Sequence, residues 1–250
     1  MKGVILAGGL GTRLHPLTKV TNKHLLPVYD KPMIYYPLET LVRAGLQEIL
    51  LVTGGNSAGE FLRLLGNGRE FGLKHIHYTY QEGEGGIAAA LSLAEDFADG
   101  DRLVVVLGDN ILEQDIRPFV TRFRRQKEGA RLLLKEVEDP ERFGVAELKN
   151  GRIVGIVEKP KHPKGSHVVI GIYMFDAQVF DIVRTLKPSG RGELEISDVN
   201  NLYLKKGILE HDFIEGYWTD AGTFESLLRA NQLVAERKNA PEEARLQKVK

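Results

Sequence analysis

GVILAGGLGTRLHPLT, residues 3–18, is the stretch on which the reading of the fold turns. Its first part, GVILAG, is a short and nearly continuous apolar run, the pattern of a strand buried on both faces. Gly8, Gly9 and Gly11 follow at once, and then Thr12 and Arg13. Glycines cost conformational entropy, so three of them at a strand end suggest that something must approach the backbone closely. A P-loop would need a Lys-Ser/Thr pair after its last glycine, and Thr12-Arg13 stands there instead. A dinucleotide fingerprint would need G-x-G-x-x-G, and Leu14 occupies the third glycine's place. A phosphate cradle suits the residues best, with backbone N–H groups forming an anion nest and Arg13 adding a charge-assisted fork. A tight turn with glycines for packing alone is the bland alternative.

Outward from this loop, strand and helix alternate. KPMIYYPLETLVRAGL predicts a helix from about Met33 with a stop at Gly45. EILLVTGG reads as a second buried strand, SAGEFLRLLGNG as a helix, and HIHYTYQ as a strand with one wetter face. GIAAALSLAEDFA predicts one strong helix, and RLVVVLGDN the most apolar strand, ending on polar residues. The alternation predicts an α/β fold with a mostly parallel central sheet and helices on both faces. Ligands of such sheets bind at the carboxyl ends of the strands. GGLGTR, Gln81 and Gly108-Asp109-Asn110 all fall there.

The second half changes texture. ARLLLKEV and GVAELKNGRIVGIVEKP are strand-rich, and Asn150-Gly151 between two runs is a two-residue hairpin signal. VVIGIYMFD predicts another strand, followed by a helix from about Ala177 to Leu186. ISDVNNLYLKKG and TFESLLRANQLVAERKN predict late helices, and APEEARLQKVK a frayed helix or charged tail.

Bulk composition narrows the function. The chain has 250 residues, enough for one large or two small domains, and 42% of them are hydrophobic, enough for a real core. Lys+Arg and Asp+Glu both number 34, so the zero net charge argues against a general nucleic-acid or membrane-surface binder. A small anionic ligand needs only local positive charge and stays open. With 0 cysteines, disulfides, thiolate zinc sites and cysteine nucleophiles are excluded. MKGVILAGG is too short an apolar run for a signal peptide, and no stretch approaches the ~20 apolar residues of a membrane span, so the expectation is a cytoplasmic protein.

LAGGLGTRLHPLT, then Asn22-Lys23-His24-Leu25-Leu26-Pro27 and Asp30-Lys31-Pro32-Met33-Ile34-Tyr35-Tyr36, resembles the sugar-1-phosphate nucleotidyltransferases, and within them the thymidylyltransferase branch. LGDN, DPERFGV, EKP, GRGELEISDVN and W-x-D-x-G-T follow in order, so the resemblance spans roughly residues 1 to 235. It implies a Rossmann-like three-layer α/β/α domain with a β-rich sugar-binding lobe, of the nucleotide-diphospho-sugar transferase type. The implied layout is one domain over 1–239. Its nucleotide-binding part is about 1–130, its sugar-binding part about 131–222 and its closing helix about 223–239, with a charged tail at 240–250.

The implied reaction joins dTTP and glucose 1-phosphate into dTDP-glucose and pyrophosphate by in-line attack on the α-phosphorus. Such chemistry needs positioning and charge neutralisation rather than a covalent intermediate. By resemblance, Arg13 and Lys23 hold the triphosphate, while Leu6, Gly8, Gly9, Gly11, Thr12 and Gly86 line the nucleotide. Gln81 reads the base, since an amide donates and accepts together. Asp109 and Asp220 would hold Mg²⁺, which prefers oxygen ligands and takes one or two carboxylates plus phosphate oxygens. Alone, Asp109 could be a turn cap and Asp220 an N-cap before TFESLLRAN. Glu158 would accept from the sugar hydroxyls, Lys159 and Arg191 would hold its phosphate, and Gly144 and Gly171 would lie against the sugar. Without the resemblance, E-K-P is only a charged strand end. A homo-oligomer is expected on the same ground.

Four departures stand out. Glu84-Gly85-Gly86-Ile87-Ala88-Ala89 replaces the usual P-D-G-L-A-Q, which leaves UTP or another hexose 1-phosphate as an alternative pair. Phe143 stands where a tyrosine is common, and His24 where glutamine is usual; neither has an assigned role. Common bacterial members continue past the position of Lys250, which sets an expectation of weakened feedback inhibition at a second nucleotide site. A non-catalytic nucleotide-sugar sensor would be expected to lack Arg13, Lys23 or the aspartates, all of which are present, and a dehydrogenase lacks its third glycine here.

Overall fold

The computed structural model describes residues 1–55 and 57–239. The first strand, β1 (Lys2–Ala7), is buried because helices cover both faces of the sheet it joins. Short turns and a two-stranded ribbon, β2 (Pro27–Val28) with β3 (Lys31–Pro32), lead to α1 (Tyr35–Arg43). Next come β4 (Glu48–Gly54), α2 (Ala58–Leu65) and β5 (His75–Gln81). The single helix expected over GIAAALSLAEDFA is in fact two, α3 (Ile87–Ser92) and α4 (Glu95–Ala98). At the break the Ala94 N–H donates to Leu91, three residues back, which tightens the turn and keeps Ala90, Leu91, Ala94 and Ala98 all against the sheet. The apolar run of RLVVVLGDN forms β6 (Leu103–Leu107), and its polar end opens the short strand β7 (Asn110–Leu112) before α5 (Arg117–Arg125).

The second half supplies β8 (Ala130–Glu136), β9 (Gly144–Lys149), β10 (Arg152–Glu158) and β11 (His167–Phe175). Asn150 and Gly151, with φ of 52° and 72°, turn β9 into β10 as the hairpin signal predicted. The chain ends its described course through α6 (Gln178–Thr185), α7 (Ile196–Lys205), β12 (Leu209–Phe213), β13 (Trp218–Asp220) and α8 (Phe224–Asn239). The tail expected over 240–250 lies outside the described residues.

The main sheet runs β10-β9-β11-β6-β1-β4-β5, with β8 pairing β11 and β12. The strands β6, β1, β4 and β5 are mutually parallel. Antiparallel pairing begins where β11 meets β6. Successive side chains of a strand point to opposite faces. Ile5 and Ala7 with Val104 and Val106 accordingly enter one core, and Val4 and Leu6 with Leu103 and Val105 enter the other. Each fully buried aliphatic side chain contributes roughly 1.5–3 kcal/mol of transfer free energy, so two dry faces hold the strand ends rigidly. A third, smaller cluster packs Ala230 and Val234 of α8 on Val28, Met33, Ile111 and Ala221, tying the last helix to the turn after β6. No described helix is long and apolar enough to cross a membrane.

Candidate active site

The carboxyl ends of β1, β4, β5 and β6 bring the predicted loop residues to one crest. Gly11, at φ 68°, is pressed against Lys23: a side chain there would put its Cβ 3.0 Å from the Lys23 Cβ. The Thr18 hydroxyl donates to the Gly11 carbonyl at 2.7 Å and holds the loop folded. Thr12 and Arg13 project to solvent, and Leu6 is buried beneath them. A Cβ on Gly8 would strike the Gln81 amide oxygen, so Gly8 makes room for Gln81 as much as for any ligand. Gln81 is buried, and its amide nitrogen donates to the Gly86 carbonyl at 3.4 Å. Gly9 has open space above it.

Asp109 follows β6 in a buried turn. Its Oδ2 accepts from the Lys23 ammonium at 2.5 Å, and its Oδ1 from the Asn110 amide at 3.0 Å. Burial alone would raise its pKa, but the Lys23 charge and these hydrogen bonds hold the carboxyl well below the usual range. Beneath the turn lies His24, close enough that a side chain on Gly108 would overlap its ring. The Asn22 carboxamide oxygen accepts from the His24 backbone N–H at 2.9 Å and from its ring Nδ1 at 2.7 Å. Burial, and then the Lys23 charge, push the His24 pKa down to about 3, so the ring is neutral at ordinary pH.

Asp220 reaches the same place by strand pairing, because β13 lies antiparallel to β7 with Asp220 opposite Asn110. The Ala221 N–H donates to the Asp109 carbonyl at 2.9 Å. A Cβ built on Gly222 would lie 3.1 Å from Arg13 Nη2, 3.3 Å from Asp220 Oδ2 and 3.5 Å from Asp109 Oδ2. Arg13 and both carboxylates therefore flank one small space. Burial, and then the Asp109 charge, push the Asp220 carboxyl up. Asp220 is not the N-cap of α8. Thr223 and Ser226 fill that role by exchanging side-chain-to-backbone bonds of 3.0 and 3.2 Å.

Two residues near these aspartates, Arg142 and Tyr173, were not singled out from sequence, and Asn110 was marked only by its place at the end of β6. Arg142 forks onto Asp220, with Nη2 at 3.0 and 3.1 Å from the two carboxylate oxygens, and its Nη1 donates to Asp139 at 2.7 Å. Asn110 is buried and satisfied on all sides: its Oδ1 accepts from the Gly171 N–H at 3.0 Å and from the Trp218 indole at 2.7 Å. Gly171 is thereby fixed, since a Cβ there would overlap the Asn110 amide. Tyr173 of β11 is buried, and its phenol is pushed up by burial and then by the Glu158 and Asp109 charges, so it stays protonated. The sequence signals were present in LGDN, DPERFGV and VVIGIYMFD, but nothing in them shows which partners these side chains meet.

On the antiparallel side, Glu158 ends β10. Its Oε2 accepts from the buried Ser197 hydroxyl at 2.5 Å, another residue sequence reasoning missed. Gly144 leaves the space in which that contact sits, its Cβ position being 2.9 Å from Ser197 Oγ and 3.2 Å from Glu158 Oε2. Lys159 Nζ and Arg191 Nη2 lie 3.9 and 3.7 Å from Glu158 Oε1. Arg191 forks onto Glu195 at 3.0 and 2.7 Å. Lys159 has φ 43°, a left-handed conformation unusual for a side-chain-bearing residue, held by its N–H donating to Phe143 at 2.9 Å. Phe143 packs edge-on to Trp218 with ring centres 5.2 Å apart.

The two sides are stapled by backbone. Leu194 donates to Gly85 at 2.9 Å, and Ala88 donates to Leu194 at 3.2 Å. Gly86, at φ 90°, lies over the Leu194 carbonyl at a separation no Cβ would tolerate, 2.7 Å. The altered 84–89 loop is therefore docked on the segment that carries Arg191. A cleft of about 1470 Å³ beside the crest is lined by Asp139, Arg142, Trp218 and Asp220 among others, and touches the site only on that side.

The arrangement presents cations and paired carboxylates, the equipment for bringing two phosphate anions together. Both donors flanking Gly222 are carboxylates, which suits a hard divalent cation that also takes phosphate oxygens.

Comparison with known proteins finds relatives over nearly the whole chain. The family model described as nucleotidyl transferase matches residues 2–237. The chain is 46% identical over 238 residues to the glucose-1-phosphate thymidylyltransferase of Neisseria meningitidis, covering 94% of this chain and 82% of the relative. It is 44% identical to that of an Actinoplanes strain, covering 92% and 77%. Among solved structures, it superimposes with a TM-score of 0.90 on a Bacillus anthracis protein assigned as a glucose-1-phosphate thymidylyltransferase and crystallised with sucrose, at 55% identity over 93% of this chain and 94% of that one. A UDP-glucose pyrophosphorylase bound to UDP-glucose superimposes with a TM-score of 0.82 at 25% identity, covering 94% and 98%.

Proposed function

This chain belongs to the nucleotidyl transferase family, and from that membership we propose that it makes dTDP-glucose and pyrophosphate from dTTP and glucose 1-phosphate. The observation that carries the reading is the convergence of Arg13, Lys23, Asp109 and Asp220 at one crest, with Gln81 on one side and Glu158 and Arg191 on the other. A phosphate oxygen of glucose 1-phosphate attacks the α-phosphorus of dTTP, the bond to the β-phosphate breaks, and pyrophosphate leaves. Charge-assisted contacts from Arg13 and Lys23 hold the leaving group. Lys159 and Arg191 bind the attacking phosphate and Glu158 takes the sugar hydroxyls, which turns a bimolecular encounter into a positioned one. Asp109 and Asp220 would hold Mg²⁺, which when bound would supply charge neutralisation at the phosphoryl oxygens. Gln81 pairs with the imide edge of the base. That edge is the same in thymine and uracil, so selection rests on the methyl group and the missing 2′-hydroxyl. The enzyme works in the cytoplasm as a homo-oligomer on this reading, and size exclusion with light scattering reads its assembly.

The test is pyrophosphate release with glucose 1-phosphate and Mg²⁺, comparing dTTP, UTP, CTP and GTP. Preference for dTTP is expected. Equal rates with UTP would overturn the thymidylyl assignment, and no release with any nucleotide would overturn glucose 1-phosphate as the sugar substrate and turn the test to other hexose 1-phosphates.

A further inference from the structure

Arg142 has no place in the reaction as derived so far, yet it holds one of the two carboxylates on which the divalent cation depends. Its Nη2 contacts both oxygens of Asp220, at 3.0 and 3.1 Å. Those are the oxygens that a cation beside Asp109 would need, since Asp220 Oδ2 faces the same space as Asp109 Oδ2. The guanidinium is also held elsewhere. Nη1 donates to Asp139 at 2.7 Å, and the group lies over the Phe143 ring, 4.9 Å from its centre. Phe143 in turn leans on the buried Trp218. Asp139, 44% exposed, and the Phe143 face both remain available if the contact with Asp220 is broken. Arg142 can therefore release Asp220 while keeping a counter-charge and a stacking partner.

We propose that Arg142 is a positioning residue that stands in for the divalent cation at Asp220, neutralising the carboxylate while the site is unloaded and yielding it, toward Asp139, as the cation binds. The inference rests on the reading of Asp109 and Asp220 as a cation-binding pair. Its physical basis is competition: two buried like charges need a cation between or beside them, and one carboxylate cannot give both its oxygens to a guanidinium and to a metal. The consequence is a cation affinity set below what the bare aspartate pair would provide. Loading is then favoured once the nucleotide's phosphates add their own oxygens.

The experiment is an Mn²⁺ titration of the full chain without nucleotide, followed by electron paramagnetic resonance of free Mn²⁺ at constant ionic strength. Arg142→Met, which removes the charge and the fork, is expected to bind Mn²⁺ about tenfold more tightly than wild type. Arg142→Lys, which keeps the charge without the planar fork, is expected to gain about threefold. Thermal melts confirm that each variant is folded, and either folded variant is sufficient to decide. Unchanged or weaker binding would show that Arg142 only orients Asp220, and would overturn the proposal. Asp220→Asn separates the two levels of the argument. Loss of Mn²⁺ binding there upholds the aspartate pair whatever Arg142 does, whereas wild-type affinity in that variant would overturn the pair and the proposal together.

Discussion

The nucleotide side and the sugar side of the crest hold their charges in opposite ways. On the nucleotide side the backbone makes the shape, and Arg13 forms no hydrogen bond or ion pair with the described residues. Only Lys23 is paired, with the buried Asp109. On the sugar side, side chains satisfy one another: Arg191 lies on Glu195, and Ser197 on Glu158. The N–H groups of a glycine-rich loop need no internal partners, because they can face water until phosphates arrive. A sugar pocket built from carboxylates and cations must be kept neutral while empty, so its ligand exchanges existing contacts for new ones. Arg191 is 38% exposed, where such exchanges are nearly balanced in free energy.

Asp109→Asn tests the buried pair most severely. It leaves Lys23 without its counter-charge, and turnover measured as pyrophosphate release is expected to fall on the order of a thousandfold, about 4 kcal/mol at 1.4 kcal/mol per factor of ten. More than a tenth of wild-type activity would break the contrast, because the nucleotide side would then not depend on its one internal pair. Arg191→Met addresses the other side. Its KM for glucose 1-phosphate should rise about thirtyfold, from the loss of a charged hydrogen bond to phosphate, with the KM for dTTP within about twofold. Equal rises in both would instead merge the two sides, through the staple between Leu194 and the 84–89 loop.

His24 sharpens the contrast through pH. Its folded pKa is depressed to about 3, below the ordinary value of 6.5, so between these values the unfolded chain takes up a proton that the folded chain refuses. Its contribution to stability is therefore complete above the unfolded pKa and is lost as pH falls toward the folded one. Between pH 7 and pH 5 the loss is about 2 kcal/mol, at 1.36 kcal/mol per unit. Melts at both pH values should show the drop in wild type and a smaller one in His24→Gln; parallel drops would mean the ring is not held neutral. The smallest effect is expected from Ser197→Ala. Removing one donor to Glu158 should raise the KM for glucose 1-phosphate about threefold to tenfold and leave dTTP untouched. A wild-type KM would mean that Glu158 needs no internal orientation.

Local patterns in the chain were informative where the physics is local. The buried strands β1, β4 and β6, the wetter β5 and the Asn150-Gly151 hairpin all stand where periodicity and turn chemistry place them. The break between α3 and α4 was hidden, because Ala and Leu favour helix throughout and only docking on the sheet makes the tighter turn preferable. Residues of the glycine loop, Gln81 and Asp109 could be picked out by their positions at strand ends, whatever their partners.

The sequence by itself determined that this chain forms an α/β sheet with a phosphate-ready loop, because strand burial, glycine punctuation and charge are properties of neighbouring residues. Tertiary structure alone decided that Asp220 meets Asp109 across a β7–β13 pairing, that Asn110 ties Gly171 and Trp218 to that turn, and that Arg142 covers Asp220. Those contacts join residues distant in the chain, and they exist only once two buried sheet faces have fixed where each strand ends.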